Sequence, residues 1–140
     1  MSTARTDPLV ADERSRSLAQ SAFDHPVVVV AGAGTGKTAL LVARVAAWCV
    51  GPGWERHAEA GTDRQTIARR VIERVVAITF TEAAAAEMAR KIGVALLDLA
   101  EAKKPVGWDP ESGILPPDPA EMALRASALS EESHRLVVST

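Results

Sequence analysis

Val27-Val28-Val29-Val30-Ala31-Gly32-Ala33-Gly34-Thr35-Gly36-Lys37-Thr38 decides how the rest of the chain is read. Four β-branched residues in a row are too few for a helix and suit a strand buried on both faces, as in a parallel sheet. Gly32, Gly34 and Gly36 let the backbone turn with positive φ and bring its N–H groups close to an anion. Lys37 then places an ammonium beside the β- and γ-phosphates of a nucleotide, and Thr38 offers a hydroxyl to Mg²⁺. A helix opening at Lys37 points its positive end at the same anion. The phosphate-loop pattern, a glycine, four residues and Gly-Lys-Ser/Thr, is met with Ala31 in the first place. Leu41, Val45 and Trp48 follow at i, i+4 and i+7, the stripe of the expected helix. The stretch reads as a nucleotide site.

Outward from it, residues 1–12 are polar and aperiodic and read as a flexible tail, with one domain expected over residues 13–140. A short helix is expected over residues 13–23. Gly51-Pro52-Gly53 stops the helix that follows the phosphate loop. Residues 54–65 are polar and turn-like, a surface excursion, and residues 67–73 fit either a short helix or the approach to a strand. Residues 75–80 form a second apolar strand, and residues 81–102 a long helix with Met88, Ile92, Leu96 and Leu99 on one face. Thr79 with Glu82, or Thr81 alone, suits its N-cap. A proline-rich loop leads to Asp118-Pro119, a cap and first-turn pair opening a helix to about Ser130. Leu136-Val137-Val138 begins a third strand. The succession is α/β, expected as a parallel sheet with helices on both faces.

Composition narrows the rest. The 140 residues carry 16 Lys and Arg against 18 Asp and Glu, a net charge of −2, so any nucleic-acid contact needs a local basic groove rather than a global field. The single cysteine, Cys49, excludes an internal disulfide and a multi-cysteine zinc site, and His25, His57 and His134 form no metal-binding pattern. No apolar run approaches the roughly 18 residues a membrane span needs. No signal-peptide core stands at the start. No membrane partner and a cytoplasmic setting are the expectations.

Residues 78–88, Ile78-Thr79-Phe80-Thr81-Glu82-Ala83-Ala84-Ala85-Ala86-Glu87-Met88, carry a second signal. Two threonine hydroxyls and a helix start can hold a phosphodiester, and the aromatic between them offers a stacking face to a base. Equally, Phe80 could be core and the threonines mere caps.

Together the two stretches resemble motifs I and Ia of superfamily 1 DNA helicases, the UvrD/Rep group with the RecB/AddA branch (exonuclease V β-subunit). The family phrase A-G-A-G-[ST]-G-K-T stands at residues 31–38, and [IV]-T-F-T-x-x-A-A-x-E-M at residues 78–88. The resemblance implies a RecA-like P-loop motor domain, here incomplete, and an ATP-dependent 3′–5′ DNA helicase of repair or recombination as the intact protein. It implies ATP and Mg²⁺ as cofactors, with Ala31, Gly32, Ala33, Gly34, Thr35, Gly36, Lys37 and Thr38 around the nucleotide. Lys37 and Thr38 are the catalytic pair and Thr38 is the Mg²⁺ ligand. Thr79, Phe80 and Thr81 become contacts to single-stranded DNA, and helicase–nuclease subunits become candidate partners. The wording Gly34-Thr35-Gly36-Lys37-Thr38 and the excursion at residues 54–65 lean toward the RecB/AddA-like branch.

Residues 135–140 are similar to the strand before the family's next motif, so the chain reads as an N-terminal piece ending before Walker B. Val94-Ala95-Leu96-Leu97-Asp98 has Walker-like letters but falls inside the long helix. Such a piece is expected to bind ATP without efficient turnover and to leave apolar sheet surface uncovered. The family often places Arg four residues after the Glu of its second motif; Lys91 stands there, with Arg90 beside it. For the glutamine that reads adenine in many members the candidate is Gln20, seventeen residues before Lys37, although Arg16 lies nearer the usual register. Two rivals remain: a small-molecule kinase, which leaves residues 78–88 unexplained, and a stand-alone, non-catalytic nucleotide-binding module. Arg56, Arg64, Arg69, Arg70 and Arg74 read as a solvated basic face, Trp48 as helix core, Trp54 and Trp108 as packing lids in loops, and Cys49 as an inert apolar residue.

Overall fold

The computed structural model describes residues 8–26, 36–110 and 113–140. The expected first strand at residues 27–30, and Ala31, Gly32, Ala33, Gly34 and Thr35 of the phosphate loop, lie outside the described residues. Helix α1 spans Pro8–Ser21, beginning five residues ahead of the expected start. Helix α2 spans Lys37–Val50 and stops at Gly51. A Cβ on Gly51 would stand 2.6 Å from the Ile114 carbonyl oxygen and 2.9 Å from that of Ala47, so only glycine fits this close crossing.

Residues 54–65, expected as an excursion, instead begin inside a short helix, α3 (Pro52–His57), which buries Trp54. Asp63 then caps α4 (Arg64–Ile72), its carboxylate accepting from the Thr66 N–H at 2.9 Å. The open choice at residues 67–73 falls to helix because Ile67, Ala68, Val71 and Ile72 share one buried face. Strand β1 (Val76–Ile78) leads through a turn into α5 (Glu82–Ala100), and α6 (Pro119–Glu132) and a 3-10 turn (Ser133–Arg135) lead to strand β2 (Val137–Ser139). β1 and β2 run parallel, with Val76 opposite Val137, Ala77 opposite Val138 and Ile78 opposite Ser139. Among the described residues the sheet has these two strands.

The core lies where α2, α4, α5 and α6 meet. Val50, Val71, Ile72, Ile92, Leu96 and Leu129 are fully buried there, each such side chain stabilising the fold by about 1.5–3 kcal/mol. Ala43, Ala46 and Ala47 let neighbouring helices approach α2 closely. The expected stripe of α2 is therefore only partly the packed one: Leu41 is 44% exposed, and Val45 and Trp48 are half-buried rather than core. The physical reason is on the other side of the groove they line. Among the described residues, exposed Val76 and Ile78 of β1, with Phe23 and Met88, line the apolar cleft there. Met88, Ile92, Leu96 and Leu99 form the buried face of α5 as the spacing required. Trp108 is buried in its loop, as a packing residue.

Candidate nucleotide and nucleic-acid site

Gly36 is left-handed, at φ +82° and ψ +28°, and its carbonyl accepts from the Leu40 N–H at 3.0 Å to close the first turn of α2. A residue with a Cβ resists that conformation. Lys37 is exposed and Thr38 half-buried, and among the described residues no side chain caps the helix start. Uncapped first-turn N–H groups and a positive helix end are what an anion requires.

Helix α1 is fixed against this turn. The Arg44 guanidinium donates to the Ala19 carbonyl at 2.7 Å and stacks 4.4 Å from the Phe23 ring centroid. Burial pulls the Arg44 pKa below its ordinary value. From α1, Arg16 reaches the turn into α2, its Nη1 lying 3.8 Å from where a Cβ on Gly36 would stand. Gln20 does not join that group. It is 1% exposed, its Nε2 donates to the Asp109 carbonyl at 2.9 Å, and its Oε1 accepts from the Asp109 N–H at 2.8 Å. Ser17 Oγ donates to the Asp109 carboxylate at 2.6 Å. One residue earlier in that loop than Trp108, Gly107 has φ +76°, and a Cβ there would meet that of Ala39 at 3.5 Å. The loop after α5 thus braces the opening of α2. No signal in the sequence marks Asp109, because its bonds to Gln20 run through its peptide group and its carboxylate meets Ser17 across 92 positions of chain.

Thr79, Phe80 and Thr81 share one turn between β1 and α5. The Thr79 N–H donates to Ser139 at 2.8 Å, tying the turn to β2. Thr79 Oγ1 donates to the Thr81 carbonyl at 3.0 Å, and Thr81 Oγ1 accepts from the Ala84 N–H at 3.0 Å as the cap of α5. Phe80 is fully exposed, so the alternative that it is core does not hold. The capping alternative for Thr81 does hold. Packing of α2 on α5 joins the two motif-bearing turns in one body.

On α5, Arg90 and Lys91 both lean on Glu87, at 2.8 and 3.6 Å, and the hydrogen bond from Arg90 holds the Glu87 carboxyl below its usual pKa. Asp98 sits inside α5 rather than at a strand end. Of the basic stretch, Arg64 pairs with Glu121 at 2.7 Å and Arg56, Arg69, Arg70 and Arg74 are exposed. Among the described residues no group of His, Cys, Asp and Glu could hold a metal ion, and no helix is long and apolar enough to cross a membrane.

Comparison with known proteins covers both turns. Residues 12–106 match the family described as UvrD/REP helicase N-terminal domain. The chain is similar to an ATP-dependent helicase/nuclease subunit of Latilactobacillus sakei, 40% identical over 85 residues, covering 59% of this chain and 8% of the relative. It is also similar to the protein of that description from Clostridium botulinum, 37% identical over 92 residues, covering 66% of this chain and 6% of the relative. The chain therefore spans less than a tenth of the length of these curated relatives. No solved structure matches it.

Proposed function

The chain belongs to the UvrD/REP helicase N-terminal domain family, and from that premise we propose that it is the ATP-binding opening of a RecA-like motor domain. Residues 31–38 take the triphosphate, Lys37 neutralising the β- and γ-phosphates and Thr38 contributing its hydroxyl to Mg²⁺. Thr79, Phe80 and Thr81 take single-stranded DNA, the ring stacking on a base and the hydroxyls and helix start meeting the backbone. The observation that carries this reading is Gly36. Its left-handed backbone turns the chain into α2, placing Lys37 and Thr38 in the helix's first turn, which no side chain among the described residues caps.

Mg²⁺ bound with ATP would supply charge neutralisation between the phosphates. The chain's own residues bind and orient. Turnover needs a carboxylate on the metal and a group that positions water. Asp98, in the body of α5, is not placed at a strand end to serve. The proposal is therefore binding without efficient hydrolysis by residues 1–140. The full assembly is read as a 3′–5′ DNA helicase of repair or recombination, working with helicase–nuclease partner subunits; the relatives' names, ATP-dependent helicase/nuclease subunits, support the helicase and nuclease part of this reading.

Calorimetry with Mg²⁺ and ATP on the wild type and on Lys37→Ala tests the reading, with phosphate release followed in the same samples with and without single-stranded DNA. Lys37-dependent binding with no DNA-stimulated release is expected. Binding indifferent to Lys37→Ala would overturn the phosphate-loop assignment, and DNA-stimulated release would overturn the claim of poor turnover.

A further inference from the structure

We propose that Arg56, Arg69, Arg70 and Arg74 form a second nucleic-acid surface, one that takes the phosphate backbone of duplex DNA. It goes beyond the single-strand contact at Thr79, Phe80 and Thr81, and it shares no residue with that contact or with the phosphate loop.

In the sequence these arginines are interleaved with acids, and the stretch looks balanced. Folding sorts it. Glu55 turns to Arg125 at 2.7 Å, Glu73 to Arg135 at 3.7 Å, and Asp63 caps α4 through the Thr66 N–H at 2.9 Å. Arg64 leaves the group for Glu121. Glu59 stays, 3.9 Å from Arg70, with both side chains exposed. Among the described residues Arg56, Arg69 and Arg74 meet no carboxylate within ion-pair distance, and all three are exposed.

The arginines also converge. Arg56 stands in the last turn of α3, Arg69 and Arg70 in that of α4, and Arg74 just beyond, and α3 packs on α4. A helix C-terminus favours basic residues in its last turn, which explains each end singly. It does not explain two such ends set side by side. Half-buried His57 lies among them: burial first, then the charges of Arg74, Arg56 and Arg70, hold its pKa below the ordinary value. Like charges that push on one imidazole also push on one another, a cost that a polyanion relieves.

The chemistry on offer is phosphate contact alone. Residues 55–74 contain no Phe, Tyr or Trp, and Trp54 before them is buried beside Arg125. With no ring to stack on, the surface suits a duplex, whose phosphates face outward, better than a single strand. Arg74 precedes β1 and Phe80 follows it, so the two surfaces lie at opposite ends of that strand.

Fluorescence anisotropy of the full chain with a labelled blunt duplex, and with one of its strands alone, tests this between about 50 and 200 mM salt. The variants are Arg56→Ala with Arg74→Ala, the same pair changed to Lys, and Phe80→Ala, with circular dichroism as the folding control. The double alanine variant is expected to lower the salt slope for the duplex by about two and to weaken its binding at least about tenfold at the lower salt. The lysine pair should restore both, since a point charge serves a phosphate. Phe80→Ala should spare the duplex and weaken the single strand. Duplex binding unmoved by the double alanine variant, an equal loss for the single strand, or a loss that the lysine pair does not restore would overturn the proposal. Poly-glutamate held as tightly as the duplex would overturn it in favour of an acidic protein partner. So would a folded wild type that binds no duplex, while Phe80-dependent single-strand binding left the reading of Thr79, Phe80 and Thr81 standing.

Discussion

Gln20 and Asp109 are 89 positions apart and are joined by two hydrogen bonds between one side-chain amide and one peptide group, at 2.9 and 2.8 Å. The pair works like a single rung of a β-ladder built from a side chain. It fastens the loop that follows α5 to α1, and the same loop rests Gly107 against Ala39 in the first turn of α2. A residue whose type suggested base recognition is in this way part of the scaffold that sets where Lys37 stands.

Replacing Gln20 with Leu leaves the Asp109 N–H and carbonyl without their partners in a part-buried place, a loss of about 2–3 kcal/mol. Gln20→Glu keeps the shape but turns a carboxylate toward the Asp109 carbonyl, so its defect is greater at pH 7 than at pH 4, where protonation restores a donor. Urea unfolding midpoints at the two pH values check both. An unchanged midpoint for Gln20→Leu would show that water serves Asp109 equally well.

Phe80 and Thr81 separate binding from stability. Phe80 is fully exposed, so Phe80→Ala is expected to leave the melting temperature within error while weakening single-stranded DNA binding by about 1–3 kcal/mol, the worth of one base–aromatic stack. Thr81→Ala removes the cap on the Ala84 N–H and costs about 1 kcal/mol of stability, and Thr81→Ser restores it. Thermal melts with fluorescence-anisotropy titrations of a labelled oligonucleotide read both effects. A melt shift for Phe80→Ala equal to that of Thr81→Ala would contradict the assignment of separate roles.

The local signals in the chain were legible because each is carried by a few adjacent residues. Gly36 before Lys37, Thr81 before α5 and Asp118-Pro119 before α6 each fix a helix start by backbone chemistry alone, and all three stand where the spacing put them. Long-range choices were not legible. The stripe Leu41, Val45 and Trp48 has helical period, yet its depth depends on what α2 meets, and Ala43, Ala46 and Ala47 are the fully buried residues instead. Residues 54–65 look polar because Trp54 is their single large apolar residue, but Arg125 across the chain gives it a partner. Gln20 is buried only because a loop 89 positions away supplies a peptide to bond.

Arg125 is a hub that carries a pH dependence. Its guanidinium donates to the Val50 carbonyl at 3.0 Å and to Glu121 at 3.0 Å, pairs with Glu55 at 2.7 Å and lies 5.5 Å from the Trp54 ring centroid, with 12% of the side chain exposed. Arg125→Ala is expected to cost about 2–3 kcal/mol, and Arg125→Lys to recover little of it because an ammonium cannot serve the fork of partners. Hydrogen bonds from Arg125 and Arg64 hold Glu121 below its ordinary pKa of 4.5. The unfolded chain therefore binds the proton first, and this stabilisation is present above about pH 4.5 and is lost as pH falls. Urea unfolding of wild type and Arg125→Ala between pH 7 and pH 3 should show their stabilities converging in acid. Parallel curves would mean that Glu121 is not coupled to Arg125.

Cys49 gives the opposite sign at the alkaline end. The thiol is fully buried in α2, and loss of hydration pushes its pKa from 9.0 up to about 12. At pH 8 a thiol reagent is expected to leave the folded chain untouched and to label one group once urea unfolds it. Between pH 9 and pH 12 the unfolded chain releases the thiol proton and the folded chain keeps it, so stability falls as pH rises, by up to about 1.4 kcal/mol per pH unit for this one proton. Cys49→Ala loses some packing at pH 7 but lacks that titration, so its deficit against wild type should shrink as pH climbs past 9. A deficit constant from pH 7 to pH 10.5, or full labelling of the folded chain at pH 8, would show that the thiol reaches solvent.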